Sequence, residues 1–155
     1  MVTTYFDSSV VVAALVQEPH SRKARKAISA DASAPFTPLL DLEVRTVFRR
    51  MAGTDRMTAA EAAAVLSHVD DDLAAGRLWK APLDLYAVFA RAEALSARHA
   101  QRLLSRSLDL LHVASALELG CKRFVTLDTR QARLAAASGL KTVDLTLQKP
   151  ASRRR

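Results

Sequence analysis

The sequence predicts an α/β domain built on a mostly parallel sheet with helices on both faces. Two observations carry this. Short apolar runs alternate along the chain with longer stretches whose apolar residues recur at helical spacing, and strands joined through helices cross over into parallel neighbours. Composition agrees: the 155 residues are half hydrophobic and a quarter charged, with 4 Gly, 5 Pro and no low-complexity tract. That length suffices for one domain with its own core, and leaves a second domain unexpected.

The elements follow in order. Tyr5-Phe6 forms a first strand closed by Asp7-Ser8, and Ser9 to Val16 reads as a short helix broken by Pro19. A second helical stretch runs from Ser21 to Ala30, and Ala34 to Thr37 is a short extended piece. Thr37-Pro38 supplies an N-cap with proline at the first helical position, opening a helix from Pro38 to Met51 that stops at Gly53. Thr58 with Glu61 three residues later makes a capping box, launching an Ala-rich helix that ends near Gly76. Leu78 to Ala81 is a candidate strand, and helices follow from about Leu83 to Ala100 and from about Ser107 to Leu119, the latter stopped by Gly120. Lys122 to Thr126 reads as a strand, Thr129 to Ser138 as a helix with Gly139 as its cap, and Lys141 to Asp144 as a last strand. Residues 1–147 thus form the expected domain, and 148–155 a basic, flexible tail ending in Arg153, Arg154 and Arg155.

The apolar run Val10 to Val16 is far shorter than the roughly 20 residues a membrane-spanning helix needs, and no basic segment precedes it as in a signal peptide. A soluble, cytoplasmic protein is expected. The single Cys121 excludes an intramolecular disulfide and is expected to be a small buried hydrophobe. Net charge is +7, which makes polyanions plausible partners, although a basic surface also serves solubility.

Four acids stand out. Asp7 and Asp128 each follow a strand and precede a helix, so both belong at the carboxyl edge of the sheet, where ligands bind in such folds. Both positions also suit a plain N-cap. Asp109, in the first turn of its helix, equally suits the positive end of the helix dipole. Glu43 is different: Leu40, Val44, Val47, Phe48 and Met51 form an apolar stripe, and Glu43 falls inside it. A carboxylate facing a core needs a cation or hydrogen-bond donors. If the four acids share one edge of the sheet, their mutual repulsion is relieved by a divalent cation, and an all-oxygen donor set suits Mg²⁺ or Mn²⁺. Zinc fits poorly, because His20, His68, His99 and His112 contain no His-x-x-x-His pair.

Tyr5-Phe6-Asp7-Ser8-Ser9, Leu42-Glu43-Val44, Leu108-Asp109-Leu110-Leu111-His112-Val113-Ala114 and Phe124-Val125-Thr126-Leu127-Asp128 resemble, in that order, the four motifs of the PIN-domain family, particularly its VapC toxins. The resemblance spans Tyr5 to about Asp144, with no departure at the acidic positions. It implies a three-layer fold around a five-stranded parallel sheet ordered 3-2-1-4-5. It further implies a metal-dependent endoribonuclease, the toxin of a type II VapBC toxin–antitoxin pair, using Mg²⁺ (Mn²⁺ possible) held by Asp7, Glu43, Asp109 and Asp128. Ser8 and Thr126 match small hydroxyl positions that orient carboxylates or water. His112 shares the helix face of Asp109, where a site role and a hydrogen-bonded core histidine are equally open. The implied partners are RNA, a cognate VapB-like antitoxin and a second copy of the chain.

Arg45, Arg49, Arg50, Arg106, Arg130 and the terminal arginines are candidates for contacts to an RNA backbone. Asp70-Asp71-Asp72 reads as a solvated helix terminus, and Trp79 and the phenylalanines as core. Two rivals remain. A phosphoaspartyl phosphatase also uses an aspartate after the first strand but wants a second one two residues on, where Ser9 stands. A non-catalytic RNA-binding or protein-interaction module would use the acids only as caps.

Overall fold

A computed structural model describes residues 4–147; the expected tail at 148–155 lies outside them. In chain order the elements are β1 (Thr4–Phe6), α1 (Ser8–Leu15), α2 (Ser21–Ser29), β2 (Ala34–Phe36), α3 (Pro38–Gly53), α4 (Ala59–Ala74), β3 (Leu78–Lys80), α5 (Leu85–Leu103), α6 (Ser107–Glu118), β4 (Arg123–Thr126), α7 (Thr129–Ala137) and β5 (Lys141–Asp144). All twelve expected elements are present. The largest shift is in α5, which begins two residues late, with Asp84 as its cap accepting from the Ala87 N–H at 3.2 Å, and runs three residues further, to Leu103. α3 starts as its residues dictate, with Thr37 Oγ1 accepting from the Leu40 N–H. α4 carries the full capping box, Glu61 accepting from the Thr58 N–H at 2.7 Å while Thr58 Oγ1 accepts from the Glu61 N–H at 3.1 Å.

Every strand pairing is parallel. β1 lies against β4 with Thr4 opposite Arg123 and Phe6 opposite Val125, and β4 against β5 with Thr126 opposite Asp144. β2 pairs with β3, Ala34 opposite Leu78. The continuous five-stranded ladder is corrected in one respect: among the described residues the strands are hydrogen-bonded as β1-β4-β5 and, separately, β2-β3. β1 and β2 lie side by side but are three residues each, so few rungs are available; Tyr5 Oη on β1 lies 3.5 Å from Oγ1 of Thr37, the residue just past β2.

Successive strand residues point to opposite faces, yet Thr4, Tyr5 and Phe6 are all buried, as are Ala34, Pro35 and Phe36. Both faces of these strands are therefore covered, as a layered α/β fold requires. Phe6, Phe36, Phe48, Phe124, Leu40 and Leu134 fill the core. Cys121 is buried as expected, its thiol pushed up to about 11 by burial and so kept protonated. Two aromatic expectations are corrected: Phe89 is 60% exposed and Trp79 only half-buried, because β3 is an edge strand and Phe89 lies on the outward side of α5. Asp70 and Asp72 are not merely solvated; they pair with Arg45 at 2.7 Å and Arg77 at 2.6 Å. Among the described residues, no helix is long and apolar enough to cross a membrane.

α5 ends on Leu104 in the left-handed conformation (φ 54), with its side chain 74% exposed. Leucine is strained there and glycine is not, while little packing is lost. Leu104→Gly is expected to stabilise the fold by about 0.5–1 kcal/mol, read as a higher urea midpoint at unchanged slope.

Candidate active site

The parallel register places the ends of β1 and β4 side by side, and the Asp7 N–H donates to Val125 O at 3.1 Å, extending that pairing by one residue. Asp7 then caps α1, and Asp128, two residues past β4, caps α7. α3 and α6 bring Glu43 and Asp109 to the same place. All four acids line one cleft of about 430 Å³, together with Ser8, Ser9, Arg106, His112 and Gln131.

Asp7 is the most constrained. It is 2% exposed, and burial raises its carboxyl above the ordinary aspartate range against the opposing pull of hydroxyl donors. Oδ1 accepts from Ser9 Oγ at 2.5 Å and from the Val10 N–H at 3.2 Å; Oδ2 accepts from Thr126 Oγ1 at 2.6 Å. Thr126 Oγ1 also accepts from the Asp128 N–H at 2.9 Å. Ser8 lines the cleft, but among the described residues the serine that meets Asp7 is Ser9, whose oxygen further accepts from the Leu127 N–H.

Asp109 Oδ2 accepts from the Arg106 N–H at 2.9 Å, and Asp128 Oδ1 accepts from the N–H groups of Arg130 and Gln131 at 2.8 and 3.2 Å. The Arg130 guanidinium stands 3.8 Å from Asp109 and 3.9 Å from Asp128, beyond hydrogen-bonding distance of either.

Glu43 caps nothing. Leu40, Val44 and Phe48 bury the stripe around it, and the partner its position demands is His112, whose Nε2 meets Glu43 Oε2. A carboxylate only accepts, so Nε2 carries a proton, and in the neutral ring Nδ1 then accepts from the Tyr5 hydroxyl at 2.9 Å. Burial pushes the Tyr5 hydroxyl far above its usual range, so it stays protonated and donates.

Residues 4–137 match the family described as PIN domain. The chain belongs to the PIN-domain family. This PIN domain is also similar in fold to a solved structure described as FitAcB from Neisseria gonorrhoeae, with a TM-score of 0.63 at 13% identity over 93% of this chain and 99% of that one. A search of curated proteins returns no match.

In this PIN domain the cleft's donors suit a hard cation. They are carboxylate oxygens; the one imidazole has both nitrogens engaged, and Cys121 does not line the cleft. Asp7 is a buried carboxylate with no cation within ion-pair distance among the described residues. Among the described residues no three His, Cys, Asp or Glu side chains are grouped closely enough to hold a metal ion as they stand. Closely placed carboxylates repel; here Asp7 turns both oxygens onto donors, and Glu43, Asp109 and Asp128 one oxygen each. Sequence reasoning missed Ser9, Gln131 and Tyr5. Gln131 is 4% exposed and lines the cleft three residues after Asp128; that spacing, one helical turn, was the available signal. Tyr5 was read only as a strand residue, and nothing local marks its hydroxyl as functional.

A group whose carboxyl range is raised by folding stabilises the fold fully below the unfolded range, about pH 4, and loses that contribution as pH rises through the folded value. Removing the charge reverses the loss. Asp7→Asn keeps an acceptor for Val10, and Thr126 can turn its proton toward Gln131 Oε1, 3.4 Å away. In chelator at pH 7 the variant is expected to melt higher than wild type, with the gap closing below pH 4; a lower melting temperature at pH 7 would contradict it.

Proposed function

We propose that this PIN domain is a metal-dependent endoribonuclease, the toxin of a type II toxin–antitoxin pair, hydrolysing RNA phosphodiesters with water as nucleophile. Glu43 is the observation that carries this reading. Asp7, Asp109 and Asp128 all satisfy helix N-terminal N–H groups and are explicable as caps, as a non-catalytic RNA-binding or protein-interaction module would have them. Glu43 is not; it is a partly buried acid on a core-facing stripe, aimed into the cleft that holds the other three.

Asp7, Glu43, Asp109 and Asp128 are the residues that would hold Mg²⁺ or Mn²⁺. Such an ion supplies an activated water at neutral pH and offsets charge on the phosphate and leaving oxygen. The chain's own part is to hold acceptors in place. Ser9 is tied to Asp7 and Leu127, and His112 has no nitrogen free to act as its base. Attack by water, not by the ribose 2′-hydroxyl, leaves 5′-phosphate and 3′-hydroxyl ends. Arg106 lines the cleft and Arg49 and Arg50 are exposed beyond it, so all three can meet backbone phosphates. Arg45 is a poorer candidate, being held by Asp41 at 2.5 Å and Asp70 at 2.7 Å.

Purified protein with total RNA is expected to give discrete cuts with 5′-phosphates only when Mg²⁺ or Mn²⁺ is added. Asp7→Asn is expected to lower the cleavage rate by about 100-fold or more while binding RNA in chelator at least as well as wild type, since it removes a negative charge. Binding by both proteins with cleavage by neither would favour the RNA-binding module.

The same reading includes a homodimer and a cognate VapB-like antitoxin laid over a groove. Leu85, Tyr86 and Phe89 support association: they are 54%, 91% and 60% exposed and sit together at the start of α5. Sedimentation is expected to show a dimer, and Tyr86→Glu with Phe89→Glu to shift it to monomer; a wild type that sediments only as monomer removes the dimer.

A further inference from the structure

The strongest buried polar network runs from the cleft into the core. Glu43 on α3 accepts from His112 Nε2 on α6; His112 Nδ1 accepts from Tyr5 Oη on β1 at 2.9 Å; and Tyr5 Oη lies 3.5 Å from Thr37 Oγ1. Thr37 is the N-cap of α3, the helix that carries Glu43. The chain of hydrogen bonds therefore closes on itself and ties three elements together. His112 is 3% exposed, and Tyr5 is fully buried, edge-on to the His112 ring and stacked on Phe124 with centroids 5.4 Å apart.

We infer that Tyr5 and His112 are positioning residues for Glu43, setting its carboxylate in the cleft before a divalent cation arrives. The inference rests on the proposed metal-dependent reading. A glutamate has three rotatable side-chain bonds and loses that freedom on ligating a cation. A donor that holds one carboxylate oxygen in advance removes the loss and leaves the other oxygen to the ion. Of the two neutral tautomers of His112 only Nε2–H can serve. Tyr5 enforces it, because its hydroxyl donates to Nδ1 and so requires that nitrogen to be the acceptor. Tyr5 does not line the cleft, so its effect on a cation passes entirely through His112 and Glu43.

The test uses the full-length chain and Mn²⁺ alone as probe. Tyr5→Phe deletes one buried oxygen without altering the cleft lining. By calorimetric titration it is expected to bind Mn²⁺ about 10-fold more weakly than wild type, and His112→Leu to bind still more weakly. His112→Gln, which restores a donor toward Glu43, is expected to fall between wild type and His112→Leu. RNA cleavage by Tyr5→Phe is expected to drop at limiting Mn²⁺ and recover at saturating Mn²⁺, a rescue that general loss of fold would not give. Nitrogen-15 spectra of the wild-type imidazole are expected to show the Nε2–H tautomer, and this readout needs no variant to fold. Wild-type affinity in Tyr5→Phe and His112→Leu, or an Nδ1–H tautomer in wild type, overturns the inference and leaves the metal-dependent reading standing. Absence of saturable, Asp7-dependent Mn²⁺ binding in wild type overturns both.

Discussion

A carboxylate taken out of water must be met by donors or by a cation, and Asp7 makes that demand at the point where β1 turns into α1. Its donors come from two directions, Ser9 and Val10 in α1 and Thr126 at the end of β4. The pairing of β1 with β4 is therefore bound to the chemistry of the cleft: a slip of one residue would send Thr126 to the opposite face and leave Asp7 Oδ2 bare. Thr126 in turn holds the Asp128 backbone. Two acids more than a hundred residues apart in the chain thus share one small hydroxyl as their common support.

The four acids are solvated by three different kinds of donor. Hydroxyls meet Asp7, backbone N–H groups meet Asp109 and Asp128, and an imidazole meets Glu43. Helix N-termini belong to the backbone frame, so Asp109 and Asp128 are held by secondary structure itself, and Asp7 partly so through the Val10 N–H. Glu43 has no such frame, lying in the second turn of its helix. It depends on a side-chain network anchored in the core. Networks of this kind rigidify when every member is satisfied, and Tyr5, His112 and Glu43 each have partners.

The charge distribution gains meaning from the same geometry. With four acids drawn to one cleft, the surface elsewhere is more basic than the net charge of +7 implies. Part of that excess is already neutralised: Arg45 and Arg77 are tied to the acidic end of α4. Arg49 and Arg50 are exposed, and Arg106 lines the cleft beside the acids.

Element identity was legible in the sequence because each element here is specified locally. Thr37-Pro38, the Thr58/Glu61 box and Gly76, Gly120 and Gly139, all at positive φ, punctuate the chain through their own backbone chemistry. The strand-end positions of Asp7 and Asp128, and the misfit of Glu43 within an apolar stripe, were equally local signals. What local signals left open is which side chains meet. The break between the β1 and β2 ladders, the hydroxyl that Thr126 offers Asp7, and the link from Tyr5 through His112 to Glu43 all depend on distances between residues far apart in sequence. A tyrosine in a strand looks the same whether its hydroxyl faces solvent, a carbonyl or an imidazole; only packing three elements against one another decides which.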